Sequence, residues 1–589
     1  MKVVGAALVV AVMSMPAVPA APVPASASDS ALAVVPAQAP IVVHIRGVDR
    51  VRDRLKAMVQ AAAPDFAPMM TGAIDTMLGQ AFAGRKMTGV VPNGPVFIAF
   101  LEMPGAEQDG LPPMAIIVRV TKFAEFRDNF LKDDEKKELK TISEGIERCE
   151  LNGMESFLVD KRDYAVIAPS KQIAETMAKG FAGMDGKLPK ELAAKMLDND
   201  LAVYVNLTTV NQTYGDQIRQ AREVTMAMAD QGLGMDKNQA EMAKKLYGGL
   251  FQVVLDGKAL VAAADFRPEG FALHLQAQVG AESDTNQVLR TQKPTVLDAV
   301  GKLPAGQMTY TATDLGPEMT RMMASIMKGA VSAEGDAMKL IDAAYNQLNA
   351  AKGRAMFASA DVPPAGVTFQ EFADPTQALS GTLAMYKGMG AGATAMGGAI
   401  KGPPEIKPDA ETFRNIKFTS VRLVWDLDKM TEQIPGAGEG VKDAMKRMMG
   451  EGMNMWVGID GNRLLTVTGK DWNDAKARLE GFLDGKTPVN QVPAFQNTAK
   501  QLPSPSSMVY FIDAGPFTNT MVEYMVALFK AMPALPINLP DSVKPVPTDT
   551  AFIGFAVTLQ PERGSADMFL PVKAVEEMKK VIMQLFMGG

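Results

Sequence analysis

The sequence predicts an α+β fold of two tandem diverged repeats, each an antiparallel sheet with helices packed on one face. Three observations lead there. Strands arrive as hairpins, not as strand-helix-strand crossovers, which favours antiparallel sheets over a doubly wound fold. The hairpins carry turn residues such as Asp460-Gly461 between alternating apolar runs. The same succession of elements recurs in both halves of the chain. At 589 residues the chain also exceeds the ~250–300 residues one hydrophobic core can serve, so two domains are expected.

The opening reads as a secretory signal. Lys2 is followed by the apolar run Val3 to Met13, then by small-residue cleavage sites at Val18-Pro19-Ala20 or Ala25-Ser26-Ala27. The run is too short to span a membrane, which takes ~20 residues. Residues 1–27 are therefore expected to be a signal peptide and Pro/Ala-rich arm, and the mature chain a periplasmic or extracellular protein without a transmembrane segment.

The first repeat is placed at 28–290 and the second at 295–589, with their matched elements over 36–285 and 300–589. Phe97 to Pro104, Pro112-Pro113 and Met114 to Val120 are echoed by Phe357 to Pro363, Pro364 and Val367 to Phe372. Helix starts follow at Thr121-Lys122-Phe123 and at Asp374-Pro375-Thr376, where Asp caps and Pro suits the first turn. A clearer block pairs Phe157 to Asp160, Tyr164 to Ala168 and a helix from Ser170 to Gly180 with Trp456 to Ile459, Leu464 to Thr468 and a helix from Lys470 to Gly481. Both helices end in Gly-Phe, which suits a left-handed cap. Leu201 to Leu207 and Met508 to Asp513 then each feed a helix, and closing hairpins turn at Arg267 to Gly270 and Gln560 to Gly564. The Gly-rich stretch Gly388 to Gly402, with Pro403, Pro404 and Pro408 behind it, reads as a loop insertion near 388–410 of the second repeat.

Composition excludes several function classes. A net charge of −6 with no basic stripe argues against nucleic acid. Two histidines and one cysteine exclude multi-histidine or cysteine zinc sites by count, and no calcium-loop spacing is visible. Strand alternation puts His44 with Arg46 opposite Ile41, Val43 and Ile45; it puts His274 with Gln276 and Gln278 opposite Phe271, Leu273, Leu275 and Ala277. Both histidines are thus expected on polar faces. Cys149, unable to form an internal disulfide, is expected to be buried in a strand.

No G-x-S-x-G elbow, H-E-x-x-H helix or serine-lysine signature appears. Gly481 to Thr487 resembles a phosphate loop but has three residues between its glycines and follows a helix; Asp185-Gly186-Lys187 matches it in the first half, so a helix-to-strand turn explains both. The mixed run Lys132 to Glu138 reads as a solvated helix face. Methionine is abundant, at 42 residues: Met319, Met323 and Met327, then Met521, Met525 and Met532, recur at helical spacing, while Met445, Met448, Met449, Met453 and Met455 cluster. Core packing by flexible side chains is expected there, ahead of an adaptable apolar surface or a copper(I) site.

The recurring unit, typified by the hairpin Glu155 to Pro169, resembles uncharacterised exported bacterial α+β proteins catalogued only as a domain of unknown function. That resemblance implies an envelope protein and transfers no site residues. The sequence therefore leads to a non-enzymatic exported binding or scaffold protein of the bacterial cell envelope, with an unknown protein or an apolar ligand as partner. No catalytic, cofactor-binding or metal-ligating residue is assigned. The alternative is a periplasmic carrier of a lipid or other apolar ligand in a Met-lined cavity.

Overall fold

A computed structural model describes residues 31–81, 85, 87–103, 113–230, 237–322, 336–389, 394–395, 398–432, 439–531 and 544–587. The expected signal peptide, residues 390–393 and 396–397 of the Gly-rich insertion, and Met323, Met327 and Met532 lie outside the described residues. The rest of that insertion is not the loop expected: Thr394–Ala395 pairs with Gly398–Ala399, and Pro408 lies within the strand Glu405–Phe413. The fold is α+β with antiparallel sheets, and it divides into two compact units. One holds the residues up to Arg219 with Val254–Gly280, the other Gln220–Val253 with Ala281–Gly589.

The first unit contributes strands β1 (Ile41–Ile45), β2 (Val96–Phe100), β3 (Met114–Arg119), β4 (Lys140–Ser143), β5 (Ile146–Leu151), β6 (Met154–Lys161), β7 (Tyr164–Ala168), β8 (Leu201–Val205), β9 (Gly257–Arg267) and β10 (Gly270–Val279). Every pairing is antiparallel, in the spatial order β10-β9-β8-β1-β2-β3-β7-β6-β5-β4. The helix after β7 forms as its sequence predicts: Ser170 Oγ accepts the Ile173 N–H at 3.4 Å, and Gly180, at φ 93°, ends it.

Helices cover both faces of this sheet, which corrects the one-sided arrangement expected. Phe157 and Val159 of β6 pack with Ile173, Met177, Leu192 and Met196 of the helices Lys171–Lys179 and Lys190–Asp198. Leu158, between them in sequence and on the opposite face, packs with Phe126 and Phe130 of the helix Phe123–Phe130. The unbroken run Phe157-Leu158-Val159 is the physical reason: a strand apolar on both sides has no polar face to give to water.

The histidine expectations are corrected for the same reason. His44 shares a face with Val42, as alternation requires, but that face is the buried one; His44 is only 1% exposed and its ring lies 5.0 Å from that of Phe97. In β10 the outer face is the apolar one: Leu273 and Leu275 are 41% and 43% exposed, while Gln276 is buried. Cys149 is buried as expected, and burial pushes its thiol up to about 12.

The run Lys132 to Glu138 is solvated except at Glu135, which is buried and pairs with Arg85 through two 2.5 Å hydrogen bonds. It also accepts the backbone N–H groups of Lys132 (2.9 Å) and Asn152 (3.0 Å). Burial alone would raise its pKa, but Arg85 and the two amides outweigh it and hold the carboxyl at about 2. A folded pKa below the unfolded value of 4.5 adds stability above pH ~4.5 that disappears as pH falls toward 2. The difference corresponds to about 3 kcal/mol. Urea titrations at pH 7 and pH 3 should show Glu135→Gln losing less stability with acid than the parent; equal acid losses would refute the assignment.

The second unit holds β11 (Thr309–Thr313), β12 (Gly353–Ala360), β13 (Gly366–Phe372), the two-residue strands β14 (Thr394–Ala395) and β15 (Gly398–Ala399), β16 (Glu405–Phe413), β17 (Ile416–Val424), β18 (Gly452–Asp460), β19 (Arg463–Gly469), β20 (Met508–Asp513), β21 (Phe552–Gln560) and β22 (Arg563–Pro571). Its sheet runs β22-β21-β20-β11-β12-β13-β19-β18-β17-β16, again antiparallel throughout. One face packs on Leu479 and Phe482 of the helix Trp472–Leu483 and on Phe495; the other carries Val457 and Leu464 against Leu348, Ala378 and Leu379 of the helices Asp336–Ala350 and Pro375–Gly388. Asp374 caps the latter by accepting the Gln377 N–H at 2.9 Å, with Pro375 in the first turn as expected. The helix Trp472–Leu483 runs past Gly481, and the left-handed glycine that follows it is Gly485, at φ 61°.

Candidate functional site

The ends of β17, β18 and β19 and the loop after β12 enclose a cleft of about 620 Å³ in the second unit. The helix Trp472–Leu483 supplies its acidic wall. Asp471 caps that helix by accepting the Asp474 N–H at 3.0 Å, and Asp474 returns an acceptor to the Lys470 N–H at 3.1 Å. This reciprocal pair fixes the Asp474 carboxylate at the mouth. Gly469 makes the return bond possible, since a Cβ there would sit 2.7 Å from Asp474 Oδ2. Gly452 opens the opposite wall: its Cβ would lie 2.1 Å from the Leu423 carbonyl oxygen, so the cross-strand backbone leaves room for hydrogen alone.

Arg478 lies between two carboxylates, with Nη1 3.2 Å from Asp361 Oδ2 and Nε 3.4 Å from Asp474 Oδ1; Nη1 also donates to Gln307 Oε1 at 2.9 Å. Asp361 is held from behind by the Met308 N–H at 2.8 Å. Glu451 pairs with Lys446 at 2.6 Å, and its pKa is lowered by that hydrogen bond first and by Arg422 further off. Every carboxylate lining the cleft is thus engaged. Arg422 and Lys470 also line it, both exposed, and neither has an ion-pair partner within 4 Å among the described residues. A second cleft of about 400 Å³ adjoins through Arg422 and Asn454 and runs along β16, where Lys407 and Glu411 face Ser420 and Phe418 across a bulge.

No serine, threonine, cysteine, histidine or tyrosine lines the larger cleft. Two acids in a cleft are the usual starting point for hydrolysis by paired carboxylates. Here the guanidinium of Arg478 stands between them. The arrangement is suited to holding a polar ligand. Among the described residues no three His, Cys, Asp or Glu side chains converge as a metal site, and no helix is long and apolar enough to cross a membrane.

The chemistry-bearing residues singled out from sequence lie elsewhere. His44 is neutral at ordinary pH, since burial pushes its pKa down to about 4, and its buried Nδ1 has no hydrogen-bond partner. His274 Nδ1 lies 3.0 Å from Lys195 Nζ. Neither histidine nor Cys149 lines either cleft. Of the clustered methionines, Met445, Met453 and Met455 are buried among apolar side chains and Met449 packs against them, as gap-filling core residues do; Tyr386 Oη donates to Met455 Sδ at 3.3 Å. Met525, by contrast, is 39% exposed. Sequence reasoning missed Arg422, Lys470 and the Asp361–Arg478–Asp474 group. Only the Asp471/Asp474 spacing before an apolar helix could have pointed to one wall.

No family model matches the chain, and no curated protein matches it. Among solved structures it is similar to TP0453 in crystal forms I and IV, at 12% and 13% identity and a TM-score of 0.22 in both, over 43% of this chain and 81% of that one.

Proposed function

We propose that this chain is a non-enzymatic binding or scaffold protein of the bacterial cell envelope, exported by residues 1–27 and built from two diverged copies of one α+β unit. The repeat is supported by the spatial order of strands, β10-β9-β8-β1-β2-β3-β7-β6-β5-β4 in one unit and β22-β21-β20-β11-β12-β13-β19-β18-β17-β16 in the other. Corresponding strands precede corresponding helices: Lys171–Lys179 follows β7 as Trp472–Leu483 follows β19, and Leu207–Asp230 follows β8 as Ala514–Ala531 follows β20. The observation that carries the binding role is the glycine-walled cleft, whose acids are engaged by neighbouring cations and whose lining has no serine, threonine, cysteine, histidine or tyrosine.

A second reading has its own support. Val43, Val203, Ala262 and Leu275 form one cross-strand row on the first sheet; Val43 packs against the core with Val48 and Val51, while Val203 and Leu275 are 38% and 43% exposed. Apolar surface of this kind suits a lipid or other apolar ligand, as a carrier would need.

Mass spectrometry of the protein purified from its native envelope separates the readings. The expected form starts after Ala20 or Ala27 and carries a polar small molecule or a protein partner that is recovered unchanged after incubation. Stoichiometric lipid would move the assignment to a carrier, and conversion of the bound molecule to a product would overturn the non-enzymatic reading.

A further inference from the structure

We infer that the larger cleft takes a small ligand bearing at least two oxyanion groups, carboxylate or phosphate, between Arg422 and Lys470. This rests on the cleft being a binding site and adds the charge of what it binds. The balance of formal charge is even: Asp361, Glu451 and Asp474 stand against Arg422, Lys470 and Arg478. The balance of unsatisfied charge is not. Asp361 and Asp474 share Arg478, and Glu451 has Lys446. The Asp361 oxygens are further occupied by the Met308 N–H and the Arg478 guanidinium, and Asp474 by the Lys470 N–H. A cationic ligand would meet carboxylates whose charge is already balanced by Arg478 and Lys446.

An anion displaces nothing. Arg422 is exposed near the end of β17 and Lys470 is exposed just past β19, on strands that both pair with β18. Their free guanidinium and ammonium groups supply charge-assisted donors worth about twice a neutral hydrogen bond. The field of Arg422 already reaches the surrounding acids, since it lowers the pKa of Glu405 and Glu451 behind their closer lysine partners. Asn454 contributes from the floor, where its Nδ2 donates to the Lys470 carbonyl at 2.9 Å and so fixes the start of the segment that carries the lysine side chain. Gly450, Gly452 and Gly469 keep the walls bare, which lets a ligand approach the main chain.

All three tryptophans report on this region. The Trp425 backbone N–H donates to the Glu451 carbonyl at 3.0 Å and its indole N–H to the Met449 carbonyl at 3.2 Å, Trp456 lines the adjoining cleft with Arg422, and Trp472 follows Lys470 by two residues. Intrinsic fluorescence of the full chain should therefore change saturably on titration with citrate, the tricarboxylate probe, or with inorganic pyrophosphate, the phosphate probe. Whichever binds more tightly identifies the preferred oxyanion. Spermidine should give no such change. Arg422→Gln with Lys470→Gln should weaken binding of the better probe by at least about tenfold, whereas Lys500→Gln, at an exposed position lining neither cleft, should not. Absence of a saturable signal with both anions up to about 10 mM, in low salt, would overturn the inference, as would undiminished binding by the double variant. Saturable binding of spermidine that the double variant retains would refute the anion assignment while leaving the cleft a binding site.

Discussion

Replacing Asp200 by alanine should destabilise the first unit by about 2 to 3 kcal/mol, less than the cost of breaking a fully buried pair, because Arg50 and Arg54 are each 31% exposed and Arg54 keeps Asp265 at 2.6 Å. The Asp200 side chain is 0% exposed. One oxygen accepts Arg50 Nε at 2.9 Å, the other accepts Arg54 Nη1 at 2.9 Å and the Phe266 N–H at 2.9 Å. Burial alone would raise its pKa, yet a hydrogen bond with Asp265 and those from Arg54, Arg50 and the Phe266 N–H outweigh it, and the pKa is lowered. Arg50 and Arg54 lie one turn apart on the helix Val48–Ala62, while Asp200 immediately precedes β8 and Phe266 belongs to β9. The carboxylate thus ties that helix to two strands. Asp200→Asn keeps the shape and one acceptor and should cost less than the alanine variant. Because Cys149 is buried in the first unit, its reaction with a thiol reagent across a urea gradient reads the transition there directly. A shift worth less than about 1 kcal/mol for Asp200→Ala would show that the arginines find other partners.

The elements themselves were readable from the chain because their signals are local. Alternation in Tyr164 to Ala168, the Ser170 cap, the Asp374-Pro375 helix start and the turn at Gly461 all depend on residues within four positions of each other, and each appears in the structure. What alternation could not supply was the identity of the buried side. It correctly paired His44 with Val42's face and Leu275 with Leu273's, but a sheet covered on both faces offers no polar face to serve as reference. Leu158 carried that information, lying inside an unbroken apolar run, and so did the equivalent Trp456-Val457 pair, whose members enter different cores.

The cleft was illegible for a different reason. Asp361, Arg422, Lys470 and Arg478 come from a loop, two strand ends and a helix, and their charges are unremarkable in sequence. Only the sheet order β13-β19-β18-β17 brings them together. Glu135 shows the same limit on a smaller scale. Nothing in a run of mixed charges distinguishes the one acid that meets Arg85, 50 residues earlier, from its solvated neighbours.

Tyr310→Ala should cost the second unit about 3 to 5 kcal/mol, and Tyr310→Phe about 1 to 3, with the difference dividing the ring's contribution from the hydroxyl's. The residue is fully buried at the centre of its core, with its ring edge-on to Phe495 and Phe552 at centroid distances of 5.9 and 5.7 Å. Removing the ring leaves a cavity among aromatic side chains that cannot collapse without leaving their rotamers. The hydroxyl donates to the Pro304 carbonyl at 2.9 Å and accepts the Gln307 N–H at 3.0 Å. Phenylalanine would therefore strand one buried donor while keeping the packing. The same substitution has a reach beyond stability, because the Gln307 side chain accepts from Arg478 at the cleft. Loosening the Gln307 backbone removes one of the three groups that hold Arg478 in place, the other two being Asp361 and Asp474. Urea unfolding followed by tryptophan fluorescence, which reads the second unit, measures the stability cost. Equal losses for the phenylalanine and alanine variants would place the whole contribution in the hydroxyl, and no loss for phenylalanine would mean that water replaces it at Gln307.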